Sequence, residues 1–315
     1  MKTSQDLVPL GKTDIMITTV GVGAWAWGDR MVWGYGGSGY SDADIREAFD
    51  VSLSNGTNWF DTAEVYGFGR SEKFLGEFLP ITTKEVLVAT KFFPFPWRMR
   101  KKALLRGLKK SLARLQLSQV DLYQIHMPFG WWSKPAYISA LADAVNAGLT
   151  RAVGVSNFNT EKTRLANETL QASGVPLASN QVEYSLFDRR IEKNGLLDYC
   201  LENEITVIAY SPLAKGMLTG KYGPDNPPPG PRKRIYSREK LQRAQPLIKL
   251  LKETGAIHGK TPAQVALNWT ICKGTVPIPG AKNAKQAADN LGAMGWRLTP
   301  EEVASLDEAS KALAQ

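Results

Sequence analysis

Three residue types that can carry charge and exchange protons stand at the ends of short apolar runs in this chain. Asp61 follows Thr57–Phe60, Lys91 follows Val86–Thr90, and His126 follows Val120–Ile125. An acid, an ammonium and an imidazole gathered at one place can donate, accept and polarise, which is the groundwork of acid–base chemistry. Read separately they say less: Asp61 and Lys91 could form a structural ion pair, and a lone histidine is more often a satisfied core side chain. The later runs finish in the same way, giving Ser156-Asn157, Gln181, Ser211 and Gly280.

Other chemistries are poorly provided for. The two cysteines, Cys200 and Cys272, are far apart and outside any CxxC, so buried free thiols are expected rather than a disulfide or zinc site. With two histidines and no carboxylate cluster, no metal site is expected. The Gly-rich run Trp33–Gly39 lacks a following Lys-Ser/Thr and reads as a lip, not a phosphate loop. After the first strand, Gly21-Val22-Gly23 lacks the third glycine of a dinucleotide fingerprint, which counts against a doubly wound sheet.

The elements that must position these residues follow from repetition. Thr19–Ala24, Thr57–Phe60, Val86–Thr90, Val120–Ile125, Arg151–Val155, Ala178–Val182, Ile205–Tyr210 and Thr275–Ile278 are strand-like. Amphipathic segments of helical length lie between them, including Ala43–Leu53, Lys101–Leu115, Thr160–Leu170, Ile191–Glu202 and Thr261–Ile271. Eight such units predict a (β/α)8 barrel, with chemistry where the strands end. Leu7–Leu10 and Ile15–Thr18 read as an N-terminal β-hairpin plugging the barrel bottom, and Thr299–Ala314 as an extra C-terminal helix. Leu213–Arg238, with Pro227-Pro228-Pro229, reads as a long loop that could act as a lid. No composition shift divides residues 1–315, so one barrel domain is expected.

Ordered along this frame, the chain resembles the aldo-keto reductase superfamily. The matching stretches are Asn58–Gly67, Ala89–Lys91, Asp121–His126, Gly154–Phe158, Asn180–Ser185, Ala209–Leu213, Gly216–Tyr222 and Ile278–Ala281, with Leu10–Thr13 and Asp289–Leu291 extending the likeness. The resemblance implies a catalytic tetrad of Asp61, Tyr66, Lys91 and His126. Tyr66 would give its proton to a carbonyl oxygen as a hydride reaches the carbon. Lys91 would draw the phenol toward ionisation, Asp61 would keep Lys91 charged, and His126 would orient the carbonyl.

It further implies that Ser156, Asn157 and Gln181 hold a nicotinamide carboxamide and that Tyr210 stacks on its ring. Gly23, Ser211, Leu213, Gly216 and Leu218 would line the cofactor. Gly280, Ala281, Lys282, Asn283, Gln286 and Asn290 would grip the adenosine end, with Lys282 favouring NADPH over NADH. Gln286 stands where relatives commonly carry arginine, which weakens that preference. Trp25, Trp97 and Trp131, together with Trp27 and Trp132, fall in loops that would ring the mouth and suit an apolar carbonyl substrate. The alternative implied by the family is a nucleotide-binding regulatory or sensor subunit with little turnover.

Composition bounds the partners. Lys plus Arg exceed Asp plus Glu by nine (39 against 30), but the excess is spread along apparent helix faces. It reads as solvated, although the basic stretch Arg232–Arg243 leaves nucleic-acid binding testable by its salt dependence. No run approaches the ~18 apolar residues of a membrane span, and the start carries no leader signature. A cytoplasmic protein is expected; a processed organellar one would read the same. Oligomeric state is not legible.

Overall fold

The computed structural model describes residues 6–37, 39–228 and 236–313. Ser38, Pro229, residues 230–235 of the long loop and basic stretch, and Ala314 lie outside the described residues.

Strands β1 (Leu7–Pro9) and β2 (Met16–Thr18) pair antiparallel, as the expected hairpin. The eight strands that follow are β3 (Val22–Gly23), β4 (Trp59–Asp61), β5 (Leu87–Phe92), β6 (Val120–Ile125), β7 (Thr150–Ser156), β8 (Leu177–Glu183), β9 (Thr206–Tyr210) and β10 (Val276–Pro277). They form one parallel sheet in sequence order. Its two edges meet: Gly21 N–H donates to Pro277 O at 3.0 Å, Gly23 N–H donates to Pro279 O at 3.1 Å, and Gly23 bridges Gly280. This seam makes the sheet a (β/α)8 barrel. A Cβ on Gly23 would stand 2.8 Å from Ile278 O, so glycine is needed there for closure. Both seam strands are shorter than expected, because Pro277 and Pro279 have no N–H to extend the ladder.

Helices flank the sheet: α1 (Asp42–Ser54), α2 (Arg70–Phe78), α3 (Lys102–Leu115), α4 (Pro135–Asn146), α5 (Thr160–Gln171), α6 (Arg190–Lys193), α7 (Leu196–Glu202), α8 (Arg238–Arg243), α9 (Gln245–His258), α10 (Pro262–Cys272), α11 (Ala284–Leu291) and α12 (Pro300–Lys311). Their starts follow from the sequence. Ser41, Thr261 and Thr299 each form a capping box, and Pro262 and Pro300 occupy first positions where no N–H is needed. The continuous helix expected over Ile191–Glu202 is broken into α6 and α7, because Gly195 turns left-handed at φ 72°.

Alternation along the strands sorts side chains between two cores. Outward residues such as Phe60, Val88 and Phe92 pack under the helices. Inward residues at the base are apolar: Trp59, Leu87, Ala89, Leu122, Ala152, Ile208 and Val276 meet Leu10, Ile15 and Ile17 of the hairpin region. Each of those three plug residues is 2% exposed, and burying each contributes ~1.5–3 kcal/mol. One step further along the same strands the interior turns polar, with Asp61, Lys91, Gln124 and Gln181 all buried.

Candidate active site

The polar layer comes together around Lys91. Its ammonium is fully buried and uses all three protons, donating to Asp61 Oδ1 at 2.5 Å, Thr62 O at 2.8 Å and Tyr66 OH at 3.2 Å. Asp61 Oδ2 accepts from Gln181 Nε2 at 2.8 Å and Gln124 Nε2 at 3.4 Å. A buried carboxylate–ammonium pair is tolerable only when its remaining lone pairs and protons are engaged, as they are here. Tyr66 sits in the turn after β4, half-buried, and its ring meets His126 edge-to-face at 5.6 Å and 83°. The four residues expected to form a tetrad, Asp61, Tyr66, Lys91 and His126, therefore share one end of the barrel.

Electrostatics refine the sequence expectation. Burial alone would lower the Lys91 pKa, but the Asp61 carboxylate and then Tyr66 more than offset it, so the ammonium is held above its ordinary value. The Tyr66 phenol is raised: burial dominates, Lys91 opposes it and Asp61 adds to it. Lys91 pulls the phenol down as expected, but desolvation outweighs that attraction and the net shift is upward. The phenol keeps its proton at neutral pH. His126 is pushed well below 6.5 by burial, then by Lys91, so its imidazole is neutral.

Beside the tetrad, Ser156 Oγ donates to Gln181 O at 2.9 Å. Asn157, left-handed at φ 62°, donates through Nδ2 to His126 O at 3.1 Å and to Ser156 Oγ at 3.0 Å, and accepts from Tyr210 OH at 2.9 Å. Ser156, Asn157, Gln181 and Tyr210 are thereby brought together. Of the seven non-glycine residues at positive φ among those described, Phe68, Asn157, Ser211, Ala214 and Lys215 lie in loops at this end. Such backbone costs of order 1–3 kcal/mol per residue and clusters where ligands bind.

The loop after β9 contains left-handed Ser211 and Gly216 (φ 98°) and is tied by Tyr236 OH to Ala214 O at 2.9 Å. Leu213 is half-buried, whereas Leu218 is fully buried in the helix-side core and gives its N–H to Leu213 O. Gly23 and Gly280 lie on the barrel seam. Ala281 O accepts from Trp27 Nε1, and Asn290 Nδ2 donates to Gly280 O at 3.2 Å. Asn283 caps α11 by accepting Gln286 N–H, while Gln286 Oε1 accepts Lys282 N–H at 2.9 Å. Lys282 Nζ reaches Trp33 O at 3.2 Å and lies over the rings of Trp33 and Tyr40 at 4.6 and 5.0 Å.

The tryptophans separate. Trp25 lies 6.2 Å from the Tyr66 ring and 5.5 Å from Trp33. Trp97 is 74% exposed and stacks on Phe95, an outer position. Trp131 is half-buried in the turn Gly130–Ser133, and its Nε1 has no partner. Trp27 and Trp132 do not ring the mouth: both are buried in the core, because their indoles fill space between barrel and helices. Residues overlooked in the sequence are Gln124, Trp33 and Phe93, whose ring lies 5.5 Å from His126 at 80°. The alternation Leu122, Gln124 and the aromatic–proline run Phe92–Trp97 were the available signals.

Among the described residues no group of three or more His, Cys, Asp or Glu could hold a metal ion, and no helix is long and apolar enough to cross a membrane. Cys200 is buried and Cys272 half-buried, both as free thiols.

Known proteins match this arrangement along nearly the whole chain. The family model for the Aldo/keto reductase family matches residues 19–311. The chloroplastic pyridoxal reductase of Arabidopsis thaliana is 41% identical, over 94% of this chain and 84% of that protein. The NADP(+) aldo-keto reductase yakc of Schizosaccharomyces pombe is 30% identical, over 93% of this chain and 88% of that protein. A glycerol dehydrogenase structure from Gluconobacter oxydans superposes with a TM-score of 0.85 at 28% identity, covering 98% of this chain and 95% of its own. With its closed barrel and polar mouth, the chain belongs to the aldo/keto reductase family, oxidoreductases of carbonyl compounds that use a nicotinamide cofactor.

Proposed function

We propose that this protein reduces an aldehyde or ketone to its alcohol with NADPH, using Tyr66 as the proton donor. The observation that carries the reading is the Lys91 ammonium donating at once to Asp61 and to the Tyr66 hydroxyl at 3.2 Å. When bound, reduced nicotinamide supplies the hydride to the carbonyl carbon. The chain's part is to place the carbonyl and manage the charge that grows on its oxygen. Tyr66 OH, protonated at rest, gives up its proton as that oxygen becomes basic, and Lys91 stabilises the phenolate left behind. His126, neutral, donates one ring N–H toward the same oxygen and so orients it. Asp61, held by Gln124 and Gln181, keeps Lys91 charged.

The residues present fit the cofactor. Ser156, Asn157 and Gln181 form a cluster of amide and hydroxyl groups suited to a carboxamide, with Tyr210 beside them. The left-handed loop Ser211–Gly216 suits a pyrophosphate, since such turns present backbone N–H groups to anions. Lys282 and the N-terminus of α11 supply positive character for a 2′-phosphate, favouring NADPH over NADH. Residues 1–315 work in this reading as one barrel unit.

The name of the plant relative directs the choice of substrate to aromatic aldehydes of the pyridoxal kind. Trp25 beside Tyr66 suits a flat ring. Oxidation of NADPH by pyridoxal and by simple aryl and alkyl aldehydes, followed at the nicotinamide absorbance, tests the reading. Turnover with aryl aldehydes and its loss in Tyr66→Phe are expected. Tight NADPH binding with no turnover on any carbonyl compound would overturn it.

A further inference from the structure

Glu64 lies two residues before Tyr66, and its side chain is 6% exposed. Its carboxylate reaches across to the loop after β5. There Oε1 accepts Phe93 N–H at 2.6 Å, and the Arg98 guanidinium grips both oxygens, Nη2 reaching Oε2 at 3.1 Å. Arg98 also donates to Phe93 O at 3.1 Å and lies over the rings of Phe92 and Phe95 at 4.9 and 5.3 Å. Its own carbonyl accepts Trp132 Nε1–H at 3.1 Å. One carboxylate thus joins the loops after β4 and β5, and the Arg98 carbonyl ties Trp132 of the loop after β6 to them.

What this clamp holds is the Phe93 ring, set edge-on to His126 at 5.5 Å. Tyr66 meets the same imidazole at 5.6 Å, also edge-to-face. His126 Nδ1 is buried and has no hydrogen-bond partner. The usual device for fixing a functional histidine, a hydrogen bond on its second nitrogen, is therefore replaced by two aromatic contacts.

We propose that Glu64 is a positioning residue for carbonyl reduction: with Arg98 it fixes Phe93, and Phe93 holds the His126 imidazole in one pose toward the substrate oxygen. The proposal rests on reading His126 as the donor that orients the carbonyl. It explains why a charged pair is drawn out of water in a loop, where desolvation makes it costly.

The test compares the parent with Glu64→Gln, Phe93→Leu and Phe93→Tyr. The chain has only two histidines, so nitrogen NMR of the imidazoles resolves His126 against His258, which is tied to Glu302 at 2.7 Å and serves as internal reference. Glu64→Gln keeps an acceptor for Phe93 N–H but loses the ion pair. Glu64→Gln and Phe93→Leu are expected to shift or split the His126 signals, leave His258 unmoved, and lower kcat by ~10-fold or more with the NADPH Kd unchanged. Phe93→Tyr restores both readouts. If Glu64→Gln does not fold, Phe93→Leu, which leaves the clamp intact, decides alone. Folded variants with parental His126 signals and kcat, altered only in Tm, would overturn the proposal. A parent inactive on every carbonyl compound would instead sink the functional reading, and the NMR arm would still report on the clamp.

Discussion

The two ends of the barrel are built from the same strands to opposite specifications. In β4, Trp59 and Asp61 both point inward, two residues apart. Trp59 lies in the apolar base under the hairpin, and Asp61 is in the charged layer at the mouth. Five of the seven left-handed non-glycine residues among those described gather in the loops of the mouth, whereas the other two, Gln116 and Glu204, stand singly in helix-to-strand turns at the base. The difference teaches that stability and chemistry are separated by one turn of the strand pleat. The base supplies the burial that lets the mouth keep strain, buried charge and an unpartnered imidazole nitrogen.

The largest expected effect falls on the base. Trp59 is 2% exposed and donates through Nε1 to Thr18 O at 3.0 Å, so Trp59→Ala opens a large hole and strands an acceptor. A loss of about 3–5 kcal/mol in denaturant unfolding is expected. The kcat of the molecules that remain folded should stay near the parent's. A kcat that collapses along with stability would break the separation of the two ends. Tyr66→Phe is the mirror case. Removing one hydroxyl at the mouth should cut turnover by at least ~100-fold, about 2.7 kcal/mol of barrel-mouth chemistry. Unfolding free energy should move by no more than about 1.5 kcal/mol, because only one hydrogen bond to Lys91 is lost. A variant as active as the parent would remove Tyr66 from the proton step.

The base and the placement of the proposed tetrad are legible in the sequence for the same reason: both are written in strand periodicity and strand ends. Asp61, Lys91 and His126 stand at or next to the ends of β4, β5 and β6, where eight repeated units direct attention. The register shift between β7 and β8 at Val153 and Gly154 was not legible, nor was the break at Gly195, because each depends on how neighbouring chain segments meet. Trp27 and Trp132 were misplaced for a related reason. A tryptophan in a loop reads alike whether its indole faces the mouth or folds back under a helix, and here both fold back. Glu64 and Gln124 escaped notice because their partners, Arg98 and Asp61, are more than thirty residues away along the chain. The net direction of the Tyr66 shift was hidden as well. It depends on how much water the fold removes, which composition does not record.

A smaller effect is expected at the edge of the mouth, where charge is only half-buried. Lys282→Met removes the ammonium that lies against Trp33 and Tyr40 beside the start of α11. The NADPH Kd should rise about tenfold, near 1.4 kcal/mol, while the NADH Kd changes little. Calorimetry with both nucleotides measures the ratio. Equal weakening of the two would mean that Lys282 shapes the lip and does not meet a 2′-phosphate.

The smallest effect concerns protons, and its sign follows from His126. Burial, then Lys91, holds its pKa in the folded chain well below 6.5. As pH falls through about 6.5, the unfolded chain takes up a proton that the folded site refuses. The unfolded state then binds more protons, so stability drops with falling pH until the folded-state value is reached. Between pH 6.5 and about 5.5 the parent should lose about 1 kcal/mol more than His126→Gln, close to one pKa unit's worth of proton binding. Denaturant unfolding of both proteins at the two pH values measures this. The buried residues of the base cluster are all apolar, so Trp59→Ala should retain the parent's pH slope between pH 6.5 and about 5.5 even though its stability is far lower. If His126→Gln instead retains the full slope, the proton sensitivity lies outside the mouth, and the two ends differ in packing alone.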